Sequence, residues 1–104
     1  MNVSMDLATT RFEQSAELFR ALADPTRLAI LDLLSDTPKC VCEIGDTVAI
    51  APNLLSYHLK VLREAGLIVG DKRGRWVDYS IASGAWDKLR RAIPAEYGLL
   101  ETAR

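Results

Sequence analysis

Apolar residues return along this chain with two different periods, and the change of period divides it. From about Arg11 to Ala23, Phe12, Ala16, Phe19 and Leu22 recur at three and four residues with Leu18 beside them, the stripe of an amphipathic helix. Residues 1–10 ahead of it are expected to be a flexible lead. Asp24 reads as an N-cap and Pro25 as the first position of a second helix. Leu28, Ile30, Leu31 and Leu34 make that helix strongly apolar, so it is expected to lie centrally, enclosed on most sides, with Arg27 and Asp32 on its wetter face. Asp36-Thr37-Pro38 is a turn that blocks further helix. A short third helix is expected over Cys42 to Val48, anchored by Val41, Ile44 and Val48. Gly45 inside it costs about 1 kcal/mol relative to alanine. The link Ala49-Ile50-Ala51 leads to Pro52, which suits a first helical turn, and to Leu55, Leu59 and Leu62, one stripe of a fourth helix. Gly66 supplies its left-handed stop. The period then drops to two. Leu67-Ile68-Val69 and Trp76-Val77-Asp78-Tyr79-Ser80-Ile81 are rich in strand-favouring residues, with Gly70 to Gly74 between them. They predict an antiparallel hairpin with Arg73 and Arg75 at or near its tip. Helix resumes after Ser83-Gly84, with Trp86, Leu89, Arg90 and Ile93 near one side, until Pro94 interrupts it. Tyr97, Leu99 and Leu100 add an apolar patch near the end.

Two short helices joined by a tight link have the arithmetic of a helix-turn-helix. With the hairpin as a wing, the order predicts a mainly α fold with a β-hairpin wing: a winged helix-turn-helix in the order helices, strand, strand, helix. Residues 1–104 form one domain in this reading. The fourth helix buries Leu55, Leu59 and Leu62 and turns polar, aromatic and basic side chains to other sides. An element of that size and character fits a DNA major groove.

Length, charge and composition narrow the reading further. A chain of 104 residues buries only a thin core, so dimerisation would help it. The formal net charge of −1 gives no global pull toward nucleic acid. Residues 52–75, however, hold Lys60, Arg63, Lys72, Arg73 and Arg75 against Glu64 and Asp71, a local balance of 5 − 2 = +3, which tail charges such as Glu96 and Glu101 offset. The two cysteines, Cys40 and Cys42, stand too close for a relaxed disulfide, which points to a reducing cytoplasm. No run of 18 apolar residues would span a membrane, and the first residues lack the basic flank and apolar core of a signal peptide. An enzyme is not expected: no phosphate-binding glycine loop, nucleophile–histidine arrangement or pair of acids facing a cleft is legible.

Three runs, taken together, resemble the ArsR/SmtB family of small metal-responsive repressors. They are Leu22-Ala23-Asp24-Pro25-Thr26-Arg27-Leu28-Ala29-Ile30-Leu31, then Ser56-Tyr57-His58-Leu59-Lys60-Val61-Leu62-Arg63-Glu64-Ala65-Gly66-Leu67, and Gly74-Arg75-Trp76-Val77-Asp78-Tyr79. The similarity covers about Phe19 to Ile81. It implies a homodimer that binds double-stranded operator DNA and releases it when a toxic metal or metalloid binds. It also implies that the end helices form the dimer interface, here through Phe12, Phe19, Trp86, Leu89 and Ile93, with Tyr97 and Leu100 as extensions. A purely monomeric core is the bland alternative for the same stripes.

Cys40-Val41-Cys42 resembles the thiol motif of the arsenic- and antimony-responsive members, and a soft metalloid wants thiolate ligands. Thiols two residues apart converge only if the first lies ahead of the helix, as nearby Pro38 allows. N–H groups at the helix start and Lys39 would favour the thiolate forms. The motif's third cysteine is Gly45 here. As(III) or Sb(III) would then take two protein thiolates and an outside ligand. Alternatively Glu43 or Asp46 would complete a mixed site for another ion such as Cd(II). Two buried structural cysteines are the remaining reading. A second family site, of carboxylates and histidines on the last helix, is not expected, because the single histidine is His58 and Asp87 stands beside Lys88. His58 is read first as a hydrogen-bonded part of the fourth helix's packing.

Asn53, Ser56 and Tyr57 are the candidates for base-edge contacts, and Lys60 and Arg63 for phosphate contacts. Arg73 and Arg75 would reach phosphates or the minor groove from the wing; a merely solvated basic hairpin is the alternative. Two copies about a two-fold axis predict an inverted-repeat operator. Drawing the thiols together would pull the start of the third helix and pass strain through Ala49 to Ala51. Two other functions stay open at this point. One is a repressor of the same fold that answers to thiol oxidation or to no metal. The other is a winged-helix module for protein interaction.

Overall fold

The computed structural model describes residues 3–94, with side chains described at residue 10 and from 12 onward. Five helices and a three-stranded sheet follow in the order α1 (Val3–Leu22), α2 (Pro25–Leu34), β1 (Lys39–Cys40), α3 (Val41–Val48), α4 (Pro52–Glu64), β2 (Ile68–Arg73), β3 (Trp76–Ile81) and α5 (Ala85–Ala92). This is a winged helix-turn-helix, with α3 and α4 as the motif and β2–β3 as the wing. Helix α1 begins eight residues before the expected start at Arg11, since no glycine or proline interrupts residues 3–10. The expected tail patch at Tyr97, Leu99 and Leu100, and the charges of Glu96 and Glu101, lie outside the described residues.

Helices α3 and α4 build the core where their stripes predict, whereas α1 and α5 bury Leu18, Ala21, Ala85 and Ala92 and leave Phe12, Phe19 and Trp86 exposed. Ile30, Ile44, Leu62, Leu67 and Ile68 are the core's fully buried large side chains, joined by Leu31, Leu34, Leu55 and Leu59. Helix α2 is less enclosed than its composition suggests: Ile30, Leu31 and Leu34 are buried, but Leu28 is 51% exposed. Besides its three buried positions, Thr26, Arg27 and Leu33 are half-buried and the other residues of that helix are exposed. Arg27 does not lie on a wet face either. Its Nε donates to the Ala21 carbonyl at 2.6 Å and its Nη2 to the Arg20 carbonyl at 3.0 Å, so it closes the end of α1.

Asp24 caps α2 as expected, accepting from the Thr26 N–H at 2.8 Å and the Arg27 N–H at 3.1 Å. The Arg27 N–H, with the Thr26 N–H and the nearby Arg27 charge behind it, holds the Asp24 carboxyl below its ordinary value against a counteracting rise from burial. A group whose folded pKa is depressed stabilises fully above the unfolded value, about 3.9, and loses that contribution as pH falls through the folded pKa. Thermal melts of wild type and Asp24→Asn are therefore expected to differ at neutral pH and to converge in acid, once the pH has fallen through the depressed Asp24 pKa.

Helix α4 ends in the arrangement that Gly66 predicts. Gly66 stands at φ 77°, the Leu67 N–H reaches the Leu62 carbonyl at 3.0 Å and the Gly66 N–H reaches the Arg63 carbonyl at 3.0 Å. The hairpin is longer than expected. Residues 70–73, read as loop, continue β2, and the register runs from Ile68↔Ile81 to Arg73↔Trp76. Only Gly74-Arg75 turns, with Gly74 at φ 62° in the first central position. A third strand was not expected. Lys39 and Cys40 pair with Tyr79 and Asp78, placing β1 beside β3 and giving the sheet order β1-β3-β2.

Candidate DNA interface and thiol site

Helix α4 separates its two faces cleanly. Leu55, Leu59 and Leu62 are buried. Asn53, Ser56, Tyr57 and Lys60 recur at three and four residues on the opposite side, with Arg63 at the flank, and all five are exposed. Pro52 opens the helix, and no side chain caps it at Ala51, which leaves its first N–H groups to solvent or a phosphate. His58 sits half-buried between the faces. Arg27 Nη1 donates to its Nδ1 at 3.0 Å, which leaves the ring proton on Nε2. Through this one arginine the end of α1 is tied to α4, in agreement with a packing role for His58.

Arg75 lies in the wing's turn and Arg73 at the end of β2, both exposed. Arg73 is turned back along the sheet, with its Nη1 3.5 Å from Asp78 Oδ2. The link between α3 and α4 carries strain of its own. Ala49 adopts φ 52°, a left-handed conformation that costs an alanine about 1–2 kcal/mol.

Cys40 is the N-cap of α3, in extended conformation at φ −77° and ψ 161°. Its Sγ accepts from the Glu43 N–H at 3.4 Å, and the Glu43 carboxylate accepts from the Cys40 N–H at 2.9 Å, a reciprocal capping box. Cys42 follows in the first turn, exposed, and both thiols are free. The first thiol thus lies ahead of the helix, as convergence requires. A side-chain hydrogen bond with Cys40 pushes the Cys42 thiol above its ordinary value, with burial, the Cys40 charge and Asp46 adding to the rise. The expected favouring of the thiolate at the helix start is therefore opposed at Cys42, first by its hydrogen bond with Cys40. Lys39 does not assist: its Nζ lies 3.4 Å from Asp36 Oδ1, toward the preceding turn. Glu43, one of the two expected extra donors, is committed to the capping box.

Gly45 has a packing reason to lack a side chain. A Cβ there would meet Leu55 Cδ2 at 3.2 Å, so a third thiol at that position would require the Leu55 side chain to give by a few tenths of an ångström. What local patterns did not reveal is the neighbour across the sheet. Cys40, Cys42, Arg73, Trp76 and Asp78 together line a shallow depression of about 390 Å³. Pairing of Lys39-Cys40 with β3 creates it, and two residues carry no strand signal of their own.

Helices α1 and α5 pack against each other. On them Phe12, Phe19 and Trp86 are exposed and Leu89 is half-buried against the core; Ile93, expected on the last helix, is exposed one residue beyond it in extended conformation. On α5, Asp87 is held by Arg90 and Arg91.

With this geometry in place, comparison with known proteins assigns the class: a winged helix-turn-helix transcription regulator, not an enzyme. The profile described as "Bacterial regulatory protein, arsR family" matches residues 24–69. The chain is 42% identical over 84 residues to the HTH-type transcriptional regulator MJ1325 of Methanocaldococcus jannaschii, covering 80% of this chain and 91% of that one. It belongs to the ArsR/SmtB family. It is also 41% identical over 70 residues to the HTH-type transcriptional repressor SmtB of Mycobacterium tuberculosis, and 42% identical over 67 residues to the arsenical resistance operon repressor of Escherichia coli. Those matches take in 67% and 64% of this chain but only 52% and 57% of the two repressors, so the chain spans about half of their length. Among solved structures, an ArsR family transcriptional regulator, RHA00566, superposes with a TM-score of 0.74 at 31% identity, over 85% of this chain and 97% of that one. The homodimeric winged helix-turn-helix domain Mb0332 of Mycobacterium bovis gives 0.70 at 26% identity, over 99% of this chain and 89% of that one. Among the described residues no helix is long and apolar enough to cross a membrane.

Proposed function

We propose that the protein is a cytoplasmic, homodimeric repressor that binds an inverted-repeat operator and releases it when a thiophilic ion binds Cys40 and Cys42, with As(III) or Sb(III) the first candidates. The observation that carries this reading is the position of Cys40. It is at once a soft ligand, the N-cap of the helix before α4, and a rung of the ladder joining β1 to the wing. The residues fit such an ion: two free thiols adjoin each other at the mouth of a depression.

Cys40 and Cys42 would hold the ion, and a Cys40 Sγ engaged by it would no longer accept from the Glu43 N–H, which would remove the side-chain half of the α3 cap. Loss of a cap costs about 0.5–2 kcal/mol, comparable with the coupling of about 1–3 kcal/mol that an allosteric switch uses. The strained Ala49 turn carries the shift to α4. The β1–β3 pairing carries it to the wing, a second route that the helix order alone does not show. Asn53, Ser56 and Tyr57 read bases in this account, Lys60, Arg63, Arg73 and Arg75 hold phosphates, and Phe12, Phe19, Trp86, Leu89 and Ile93 join the two protomers.

Footprinting on the gene's own upstream DNA tests the operator half of the reading. One dimer is expected to protect two symmetric half-sites about one helical turn apart. Binding that grows with DNA length and shows no sequence preference would favour the protein-interaction module instead.

A further inference from the structure

The three-stranded sheet aligns a donor with the thiols that no local motif contains. Asp78 lies directly opposite Cys40 on one side and Asp71 on the other. Directly opposed residues project from the same face with Cβ atoms about 5 Å apart. Tyr79 and Ile81 of β3 pack on the core, so Cys40, Asp78 and Asp71 form a row on the other face. Cys42 reaches the same depression from the first turn of α3. Two carboxylates stand opposed in that row, and Arg73, 3.5 Å from Asp78, is the cation paired there. The face therefore favours a positive ligand.

We propose that Asp78 is the third donor of the thiol site, completing a two-sulfur, one-oxygen set for a thiophilic divalent cation of the Cd(II) kind. The inference rests on the thiol site proposed above and adds to it the donor and the ion class. Asp78 is turned toward Arg73, and among the described residues no three ligating groups converge at metal distances. The set closes when Asp78 leaves Arg73. Arg73 is exposed and Asp78 only half-buried, and an ion pair so placed at 3.5 Å contributes little, so the exchange is cheap. Each thiol gives its proton to solvent as its sulfur takes the cation, and the carboxylate supplies the oxygen that mixed thiolate–carboxylate sites offer borderline ions. Three donors held by the protein remove the need for an outside ligand.

Cd(II) titration of the reduced protein, followed by the ultraviolet sulfur-to-metal charge-transfer band and by calorimetry, tests this. Asp78→Asn is expected to weaken Cd(II) binding about tenfold or more, the scale seen when a metal site loses a supporting group. Asp71→Asn is expected to change it little. Arg73→Gln is expected to tighten it, because it removes the cation that holds Asp78; this keeps the idea testable if Asp78→Asn folds poorly. Wild-type affinity in Asp78→Asn, with binding lost in Cys42→Ser, would overturn the role of Asp78 and leave the thiol site standing. No charge-transfer band in the wild type would overturn both.

Discussion

Replacing Lys60 and Arg63 together by alanine is expected to weaken DNA binding by a similar factor on every sequence. It should also flatten the salt dependence by about 0.9 in log–log slope for each phosphate that is no longer neutralised. Both side chains are exposed on the side of α4 away from Leu55, Leu59 and Leu62, where a groove-bound helix meets the backbone. A cationic side chain set against the backbone neutralises a phosphate without reading a base. The contrast is Asn53→Ala, which should cost about 1–3 kcal/mol at one base pair and leave the slope nearly unchanged. Anisotropy titrations over a salt series, on operator and scrambled DNA, separate the two. An unchanged slope in the double variant would take α4 off the DNA.

The second large effect is structural. Leu62→Ala is expected to lower the unfolding free energy by about 2–5 kcal/mol, measured by urea denaturation. Leu62 is fully buried, and its carbonyl also closes the end of α4 through the Leu67 N–H. A domain of this size has about 5–15 kcal/mol in total, so one cavity under the recognition helix takes a large share. A cost below about 0.5 kcal/mol, the level of surface substitutions, would mean that α4 is not seated on this core.

Much of this architecture is legible because its signals are local. The stripe of Leu55, Leu59 and Leu62, the stop at Gly66 and the cap at Asp24 each act within a turn or two of chain, and each stands where the sequence places it. The misses come from longer range. Strand β1 exists only through its partners Asp78 and Tyr79. The wing is longer than expected because Gly70 lies flat beneath Tyr79 and Val77, where a Cβ would meet both near 3.1–3.2 Å; a glycine that reads as a turn is here a packing residue. Arg27 reads as a surface charge, yet it bridges the end of α1 and His58, a pairing thirty-one positions apart that no periodicity encodes. The site divides in the same way. Convergence of Cys40 and Cys42 follows from their spacing at a helix start. The surroundings of Asp78, Arg73 and Trp76 follow only from sheet order.

DNA release is expected to depend on the two thiols. The most direct test is dissociation of the reduced protein from its own upstream DNA, followed by fluorescence anisotropy, with arsenite, antimonite, cadmium, zinc and nickel added in turn to wild type and to the Cys40→Ser, Cys42→Ser double variant. The account predicts release of the wild type by arsenite, antimonite or cadmium, and a double variant that binds DNA as tightly but stays bound. Tight binding that none of these ions relieves, or equal release of both proteins, would contradict it.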